Sequence, residues 1–232
     1  ESEVPERALR PLRDLNKHMA LCQAFTLTRR EKKTVYMEKE DHWCWNPLIG
    51  YGCVECLPGQ PQFEEVIKYI SIPDHDKATE FFKNFPRLPM DKYEAVVTAP
   101  LATASFVPDV VLIYAEVAKI NHMVRCIKSA TGNYVSSVFD GIDSCIYATV
   151  PSFQKNEYRI TFPDPGDRER ARARDDEVIL TVPGQRMKEF MDAVEQADRH
   201  MGFNDKGFDV CLNHNRPPFY VKLFEMWGLD KA

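Results

Sequence analysis

The segment DVVLIYAEVAKINHMVRCIKSA at residues 109–130 contains an apolar strand followed directly by an amphipathic helix. The segment DEVILTVPGQRMKEFMDAVEQADRH at residues 176–200 has the same order of elements. Each is preceded by a short apolar run that ends in proline, EAVVTAP at residues 94–100 and EYRITFP at residues 157–163. The second half of the chain is therefore predicted to contain two strand–loop–strand–helix units.

This order of elements favours an α+β fold in which helices pack on a mostly antiparallel sheet. The first half is predicted to contain one strand and several helices, the strand at residues 32–40 and the helices at residues 6–19, 20–30, 63–69 and 75–85. We predict a single domain over residues 1–232. It comprises a Cys-rich half to about residue 90, the repeated half over about residues 91–205, and a C-terminal extension over residues 206–232.

Composition excludes several classes of protein. The chain has 232 residues, 44% of them hydrophobic and 28% charged, which excludes a disordered chain and a disulfide-rich miniprotein. The net charge of -5 argues against nucleic acid as the main partner. Pro100, Pro108 and Asp109 interrupt the longest apolar stretch, so no membrane span is predicted. Because the chain begins at Glu1 rather than Met, we expect a segment upstream to have been removed.

Seven cysteines, an odd number, make a poor disulfide framework in a chain large enough to fold without one. We therefore expect a reducing, cytoplasmic setting, in which cysteines are buried apolar groups, metal ligands or reactive thiols. Asp143 or Ser144 is expected to cap a short helix that carries Cys145 in its first turn. The unpaired N–H groups at that position stabilise a thiolate.

The pair Cys53-Val-Glu-Cys56 follows Cys44 in a Gly-rich segment. A tight turn directs two thiolates at this spacing to one metal, and free backbone N–H groups tune an iron–sulfur cluster. No second C-x-x-C is present, so the remaining ligands would be distant in sequence: Cys22, Cys145 or His42. The alternative is that these cysteines are packing residues.

The segment PDPGDRERARARDDE at residues 163–177 alternates Arg with acidic residues. One interpretation is that Arg168 binds a substrate carboxylate or phosphate and that Asp167 orients it. The favoured alternative for the segment is a solvated, charge-compensated hairpin connection. The aromatic residues of the Gly-rich segment are expected to cover the core, although they would also suit a flat ligand: Trp43, Trp45 and Tyr51.

Several blocks together resemble the uncharacterised prokaryotic family catalogued as domain of unknown function 169. They are a helix opened by a cysteine at position 22, a strand that leads to Cys44, APL at residues 99–101, PDVVLIY at residues 108–114, FDGIDSC at residues 139–145 and PDPGDR at residues 163–168. The resemblance implies that Cys22, Cys44 and Cys145 are the family's cysteines, whereas Cys53 and Cys56 are additions. It brings no activity with it, and Glu116-Val117 departs from the small-residue–Pro turn expected there.

These observations lead us to expect a cysteine-ligated metalloprotein with an iron–sulfur cluster. It would perform or assist redox or Lewis-acid chemistry on a small anionic molecule, and redox chemistry would need a partner protein. The ligand set is either Cys22, Cys44 and Cys145 or Cys44, Cys53 and Cys56. The alternatives are a metal-free binding or sensing module and a non-catalytic partner of an enzyme. No G-x-S-x-G motif or glycine-rich phosphate loop indicates another enzyme class.

Overall fold

The computed structural model describes residues 18–70, 72–201 and 218–228. The helix predicted at residues 6–19, except for its last two residues, lies outside the described residues. Most of the predicted C-terminal extension lies outside them as well. The helices and strands of the described residues follow in chain order: α1 (Leu21–Glu31), β1 (Val35–Glu38), α2 (Trp45–Gly50), α3 (Pro61–Ile67), α4 (His75–Lys83), β2 (Ala95–Thr98), β3 (Val110–Glu116), α5 (Val117–Thr131), α6 (Ser144–Lys155), β4 (Arg159–Thr161), α7 (Pro165–Ala171), β5 (Glu177–Pro183), α8 (Met187–Met201) and α9 (Pro218–Met226).

The α+β class is confirmed, with two antiparallel sheets ordered β1–β2 and β3–β5–β4. Both units have the predicted order, β2–β3–α5 and β4–β5–α8. Their strand pairing differs, however. In the second unit β4 pairs with β5, whereas in the first unit β2 pairs with β1 and β3 pairs with β5. The connection from β2 to β3 contains two prolines and a turn of 3₁₀ helix at Leu101–Thr103, so it is no tight hairpin.

The central strand β5 is buried on both faces, as expected for a strand covered by helices on each side. On one face, alternate residues of β3 and β5 pack with α5 and α8 to form the second core, whose buried members include Val111, Ile127, Leu180, Val182 and Phe190. On the other face, α6 packs on β4 and β5 and carries its residues into the first core. Its side chains therefore join the three-stranded sheet to the N-terminal half.

The first core is built around aromatic residues of the N-terminal half. Phe63 and Phe82 are fully buried, with ring centroids 5.4 Å apart, and Trp45 packs against Phe82 and Phe85. Tyr51 is also buried, so the predicted covering of the core holds for Trp45 and Tyr51. Trp43 differs, because 45% of it is exposed.

The favoured interpretation of residues 163–177 as a solvated hairpin connection is wrong in part. The segment does connect the antiparallel neighbours β4 and β5, but it contains the helix α7 and is only partly solvated. Asp164 is the N-cap of α7, and its side chain accepts a hydrogen bond from the backbone N–H of Asp167 at 2.8 Å. Pro165 occupies the first turn, where a missing N–H costs nothing. Asp167 itself is completely buried.

Within the described residues, none of the helices combines the length and apolar character needed to cross a membrane.

Candidate functional site

Three cysteines from distant parts of the sequence lie at the beginnings of three different helices. Cys22 is the second residue of α1, Cys44 is the N-cap of α2, and Cys145 is the second residue of α6. They lie within electrostatic range of one another, because Cys44 contributes to the raised pKa of both other thiols and Cys22 contributes to that of Cys145. The structure therefore places near one another the three cysteines that the family resemblance implies.

Two contacts position these helices. The backbone N–H of Met19 donates to the carbonyl of Asp41 at 3.0 Å, which ties the start of α1 to the segment before α2. At the end of α2, Gly50 lies directly against α6: a Cβ at this position would be 2.6 Å from the Cδ1 of Ile146. Only a glycine lets the two helices approach this closely.

A fourth helix N-terminus, that of α7, closes the site. The Asp164 carboxylate accepts hydrogen bonds at 3.0 Å from both the backbone N–H and the hydroxyl of Ser144, at the start of α6. The Ser144 hydroxyl also lies 2.6 Å from Oδ2 of Asp167. The Cys22 thiol lies 3.8 Å from the carbonyl oxygen of Gly166. We call these three cysteines, together with Asp143, Asp164 and Asp167, the thiol–carboxyl site.

Burial and mutual repulsion set the protonation of this site. Burial, followed by the charges of Asp167 and Asp164, raises the pKa of Cys22 to about 12. Burial, followed by Asp164 and Cys44, raises the pKa of Cys145 well above its usual range. The expectation that the helix N-terminus stabilises a Cys145 thiolate is therefore wrong for the metal-free protein. Its position in the first turn of α6 is correct, but burial and the neighbouring carboxylates outweigh the helix dipole.

The pKa values of two carboxyl groups of the site are raised as well. Burial, and then a hydrogen bond and charge repulsion from Asp140, raise the pKa of Asp143 to about 9. Burial raises the pKa of Asp167 to about 6, against the opposing effect of its hydrogen bond with Ser144. The Asn46 amide donates to Asp143. Acidic groups are thus concentrated here in an environment that favours their neutral forms, and a bound cationic group would favour their ionisation.

Tyr114 is a member of the site that the sequence analysis missed. Its hydroxyl oxygen is buried and has no hydrogen-bond partner among the described residues. Burial, followed by the charge of Asp167, raises its pKa well above the usual value, and Cys145 and Cys22 add to the effect. Strand alternation could have found it: Val111, Ile113 and Ala115 pack in the second core, so Tyr114 extends from the opposite face of β3.

Two arginines bring positive charge to the site. The guanidinium of Arg29 lies 3.6 Å from the centre of the Tyr114 ring, and its Nη2 lies 2.9 Å from Oε1 of Glu177. The guanidinium of Arg170 lies 4.9 Å from the centre of the exposed Trp43 ring and counteracts the raised pKa of Cys44. Trp43 and Arg170 therefore mark the solvent side of the site next to Cys44.

The two predicted substrate-binding residues have different surroundings. Asp167 is fully buried next to Ser144, whereas Arg168 is exposed and its Nε lies 3.5 Å from Oδ1 of Asp175. The structure thus does not pair Asp167 with Arg168, and the role of both in binding an anion stays a prediction. Arg29 and Arg170 are the arginines that influence the thiol–carboxyl site.

The C-x-x-C cysteines lie in the first core and beside it. Cys56 is buried there, and its carbonyl oxygen accepts a hydrogen bond at 3.1 Å from Arg87. Cys53 packs against the same core and lines a small pocket with His42 and Lys39. Burial lowers the pKa of His42 to about 4, so its ring is neutral. Cys53 and Cys56 as metal ligands stay a prediction.

The thiols of the site are near one another without forming a site for a single metal ion among the described residues. Among residues 18–70, 72–201 and 218–228, no three His, Cys, Asp or Glu side chains are positioned to hold one metal ion. The thiols of Cys22, Cys44 and Cys145 nevertheless influence one another electrostatically.

The fold and the site define an α+β protein with buried thiols and carboxyls gathered at four helix N-termini. The chain belongs to the DUF169 family, described as "Uncharacterised ArCR", whose sequence profile matches residues 1–193. It is similar to the uncharacterized protein MJ0308 of Methanocaldococcus jannaschii, with 24% identity over 197 residues, which cover 84% of this chain and 82% of the relative. No solved structure matches the chain significantly.

Proposed function

We propose that this chain is a cytoplasmic iron–sulfur protein in which Cys22, Cys44 and Cys145 hold the cluster. The observation that carries the proposal is that these three cysteines begin three separate helices and come within electrostatic range of one another. The function is to perform or assist redox or Lewis-acid chemistry on a small anionic molecule.

The spacing of the thiols supports a cluster in preference to a single ion. Sulfur lies about 2.3 Å from zinc, so the sulfurs around one ion lie within about 4 Å of one another. No group of this kind is formed by the described residues. The three thiols nevertheless influence one another's pKa values, and we take this looser arrangement to favour a polyatomic group. Three protein ligands would leave one position of the cluster open for a substrate. When bound, the cluster would supply the redox or Lewis-acid chemistry.

The charges of the site indicate that the thiols would become thiolates only when metal binds. Without metal the thiols of Cys22 and Cys145 keep their protons at neutral pH, because burial and the carboxylates raise their pKa values. Metal binding would displace these protons. Backbone N–H groups at the starts of α1 and α6 would then stabilise the thiolates. Arg170, beside Cys44, provides the positive charge that attracts an anionic substrate.

Anaerobic reconstitution with ferrous iron and sulfide tests the proposal. We expect the wild-type protein to bind iron and sulfide in equal amounts and to show visible absorption. Cys22→Ser, Cys44→Ser and Cys145→Ser should each lose most of the bound iron. Cys126→Ser is the control because Cys126 is buried like Cys145 but packs between α5 and α8.

The same series tests the second ligand set. If Cys53→Ser and Cys56→Ser lose the iron while Cys22→Ser and Cys145→Ser keep it, the cluster is held by Cys44, Cys53 and Cys56. A wild-type protein that binds no iron under these conditions would contradict the proposal for both ligand sets.

A metal-free binding or sensing module is the second candidate function. It is favoured by the raised pKa values of the buried thiols, which behave as packing groups when protonated. Alkylation of the purified protein in denaturant, without added chelator, separates the two functions, because buried thiols are protected in the folded protein in either case. Five or more thiols that react readily without release of metal would favour the module, whereas iron released as the thiols react would favour the cluster.

A further inference from the structure

The helices α1 and α7 are joined by a row of contacts that begins at the thiol–carboxyl site. The Cys22 thiol lies 3.8 Å from the carbonyl oxygen of Gly166. One turn further along α1, the Thr26 hydroxyl donates to the carbonyl oxygen of Ala171 at 2.6 Å. Residues four apart in a helix share a face, so the row leads from the site towards the C-terminal ends of both helices.

Exposed arginines lie at these C-terminal ends. Arg30, the next residue on the same face of α1, donates from Nη2 to the carbonyl oxygen of Arg172, the C-cap of α7. Arg170 lies in the last turn of α7, and its guanidinium is 4.9 Å from the centre of the Trp43 ring. All three arginines and Trp43 are exposed. We call these four residues the basic surface.

The protein itself leaves the positive charge of the basic surface largely uncompensated. In the part of the chain that the structure describes, no carboxylate lies within ion-pair distance of the three arginines. Two exposed acids of the same segments already have partners, Glu31 with Lys33 at 2.8 Å and Asp175 with Arg168 at 3.5 Å. Glu169 is exposed without an ion pair, but one carboxylate does not neutralise three guanidinium groups. The basic surface is therefore opposite in sign to the net charge of -5.

The composition of the basic surface favours a protein partner. Tryptophan and arginine are the residues that most often dominate the binding energy of protein–protein interfaces. The indole N–H of Trp43 donates to Oε1 of Gln23 at 3.3 Å, which holds the exposed ring in one orientation and lowers the entropic cost of binding. A nucleic acid or an anionic membrane binds along a more extended cluster of basic residues. Three arginines around one tryptophan fit the acidic face of a protein better.

We propose that the basic surface docks the acidic face of a redox partner protein. A partner there lies next to two cysteines of the site, because Trp43 precedes Cys44 in the chain and Cys22 contacts α7 at Gly166. The proposal deepens the function proposed above and rests on it for the role of the partner. The arginines steer the partner to this face, and the Trp43 ring becomes buried on docking.

Titration of a fluorescently labelled plant-type [2Fe–2S] ferredoxin, an acidic electron-transfer protein, with the metal-free protein tests the docking. We expect binding in about 0.05 M NaCl that weakens about tenfold or more by about 0.3 M NaCl, because salt screens the charges. A triple variant that removes the three charges should bind about tenfold more weakly: Arg30→Gln, Arg170→Gln and Arg172→Gln. The corresponding Arg→Lys triple variant keeps the charges and should keep most of the affinity.

A matched control removes the same charge from α4, α5 and α8 and should stay within about twofold of the wild-type affinity: Lys83→Gln, Lys119→Gln and Lys188→Gln. Trp43→Ala leaves the charge unchanged and should weaken binding about fivefold or more. Circular dichroism and the urea midpoint check that each variant is folded.

Three results would overturn the proposal. They are absence of ferredoxin binding at low salt, equal weakening by the control triple variant, and tighter binding of duplex DNA or phosphatidylserine vesicles that the Arg→Gln triple variant loses. The last result would assign the basic surface to another class of partner. Because the titration uses metal-free protein, failure to dock ferredoxin and failure to bind iron are separate results.

Discussion

At the scale of single residues, Asp167 is an acid whose native environment opposes its ionisation. Its pKa is raised from 3.8 to about 6, first by burial, and the nearby Asp164 and Glu177 add to the effect while Ser144 and Arg29 oppose it. Between these two pH values the folded protein binds a proton that the unfolded chain has already lost. The contribution of Asp167 to the free energy of unfolding must therefore fall as the pH rises through this window.

The variant Asp167→Asn should lack this fall, because asparagine does not ionise but still accepts a hydrogen bond from Ser144. The free energy of unfolding of the variant, minus that of the wild type, should increase by about 2 kcal/mol between pH 4 and pH 6. Urea denaturation of both metal-free proteins across this range measures it.

Taking the difference between the two proteins removes the other groups that titrate in this range. His42, with a pKa lowered to about 4, makes the folded state more stable as the pH rises to 6.5, which is the opposite sign. Asp143, with a pKa raised to about 9, has the same sign as Asp167. Both groups are present in the two proteins. A difference that stays constant with pH would contradict the raised pKa of Asp167.

At the scale of helices and strands, Asp164 connects two helix N-termini. Its carboxylate caps α7 through the backbone N–H of Asp167 and also accepts from the backbone N–H and hydroxyl of Ser144 at the start of α6. Asp143, the N-cap of α6, makes no capping hydrogen bond with its own side chain. Asp164 therefore does for α6 what the sequence analysis expected of Asp143 or Ser144.

Asp164→Ala should cost clearly more stability than the loss of an ordinary cap. Asp74→Ala is the matched control, because Asp74 caps only α4 through the backbone N–H of Lys77, at 2.9 Å on the surface. We expect about 1 kcal/mol for Asp74→Ala and about 2–4 kcal/mol for Asp164→Ala, measured by urea denaturation. Equal losses for the two variants would mean that the contact with Ser144 contributes nothing.

Local patterns of apolar residues in the sequence were sufficient to predict many of the helices and strands. The apolar periodicities predicted β3, α5, β5 and α8, because each element has a buried face that repeats along the chain. The helix α7 was missed although Asp164-Pro165 is a typical helix start, since the alternating charges that follow indicated a solvated connection. The pairing of β2 with β1 depends on contacts between distant segments, and no local pattern reports these.

The same distinction applies to the site. The cysteines were found as residue types, and the family resemblance grouped Cys22, Cys44 and Cys145 before any contact was known. Their proximity depends on how α1, α2 and α6 pack, including the close approach of Gly50 to Ile146, which spacing along the chain does not encode. Tyr114 had no residue-type signal, because a tyrosine in an apolar strand is usually a core residue.

At the scale of the whole molecule, the described residues contain two main cores separated by the three-stranded sheet. Phe82 is fully buried in the first core and Leu180 in the second. The helix α6 packs on β4 and β5 while Ile146 and Val150 lie in the first core. Because α6 contacts both the three-stranded sheet and the first core, a substitution that destabilises either core should also destabilise the other. This coupling is the physical basis for predicting a single domain.

Urea unfolding of Leu180→Ala tests this coupling through a probe in the other half of the molecule. In a Trp227→Phe background, fluorescence comes from Trp43 and Trp45, which belong to the N-terminal half. Leu180→Ala should destabilise the protein by about 2–5 kcal/mol, and Phe82→Ala by about 3–5 kcal/mol. In a single cooperative unit, each variant shifts the fluorescence and circular dichroism transitions together. If Leu180→Ala left the fluorescence midpoint unchanged while the circular dichroism midpoint fell, the chain would contain two domains. The thiol–carboxyl site would then lie where the two domains meet, because it combines Cys22 and Cys44 with Cys145.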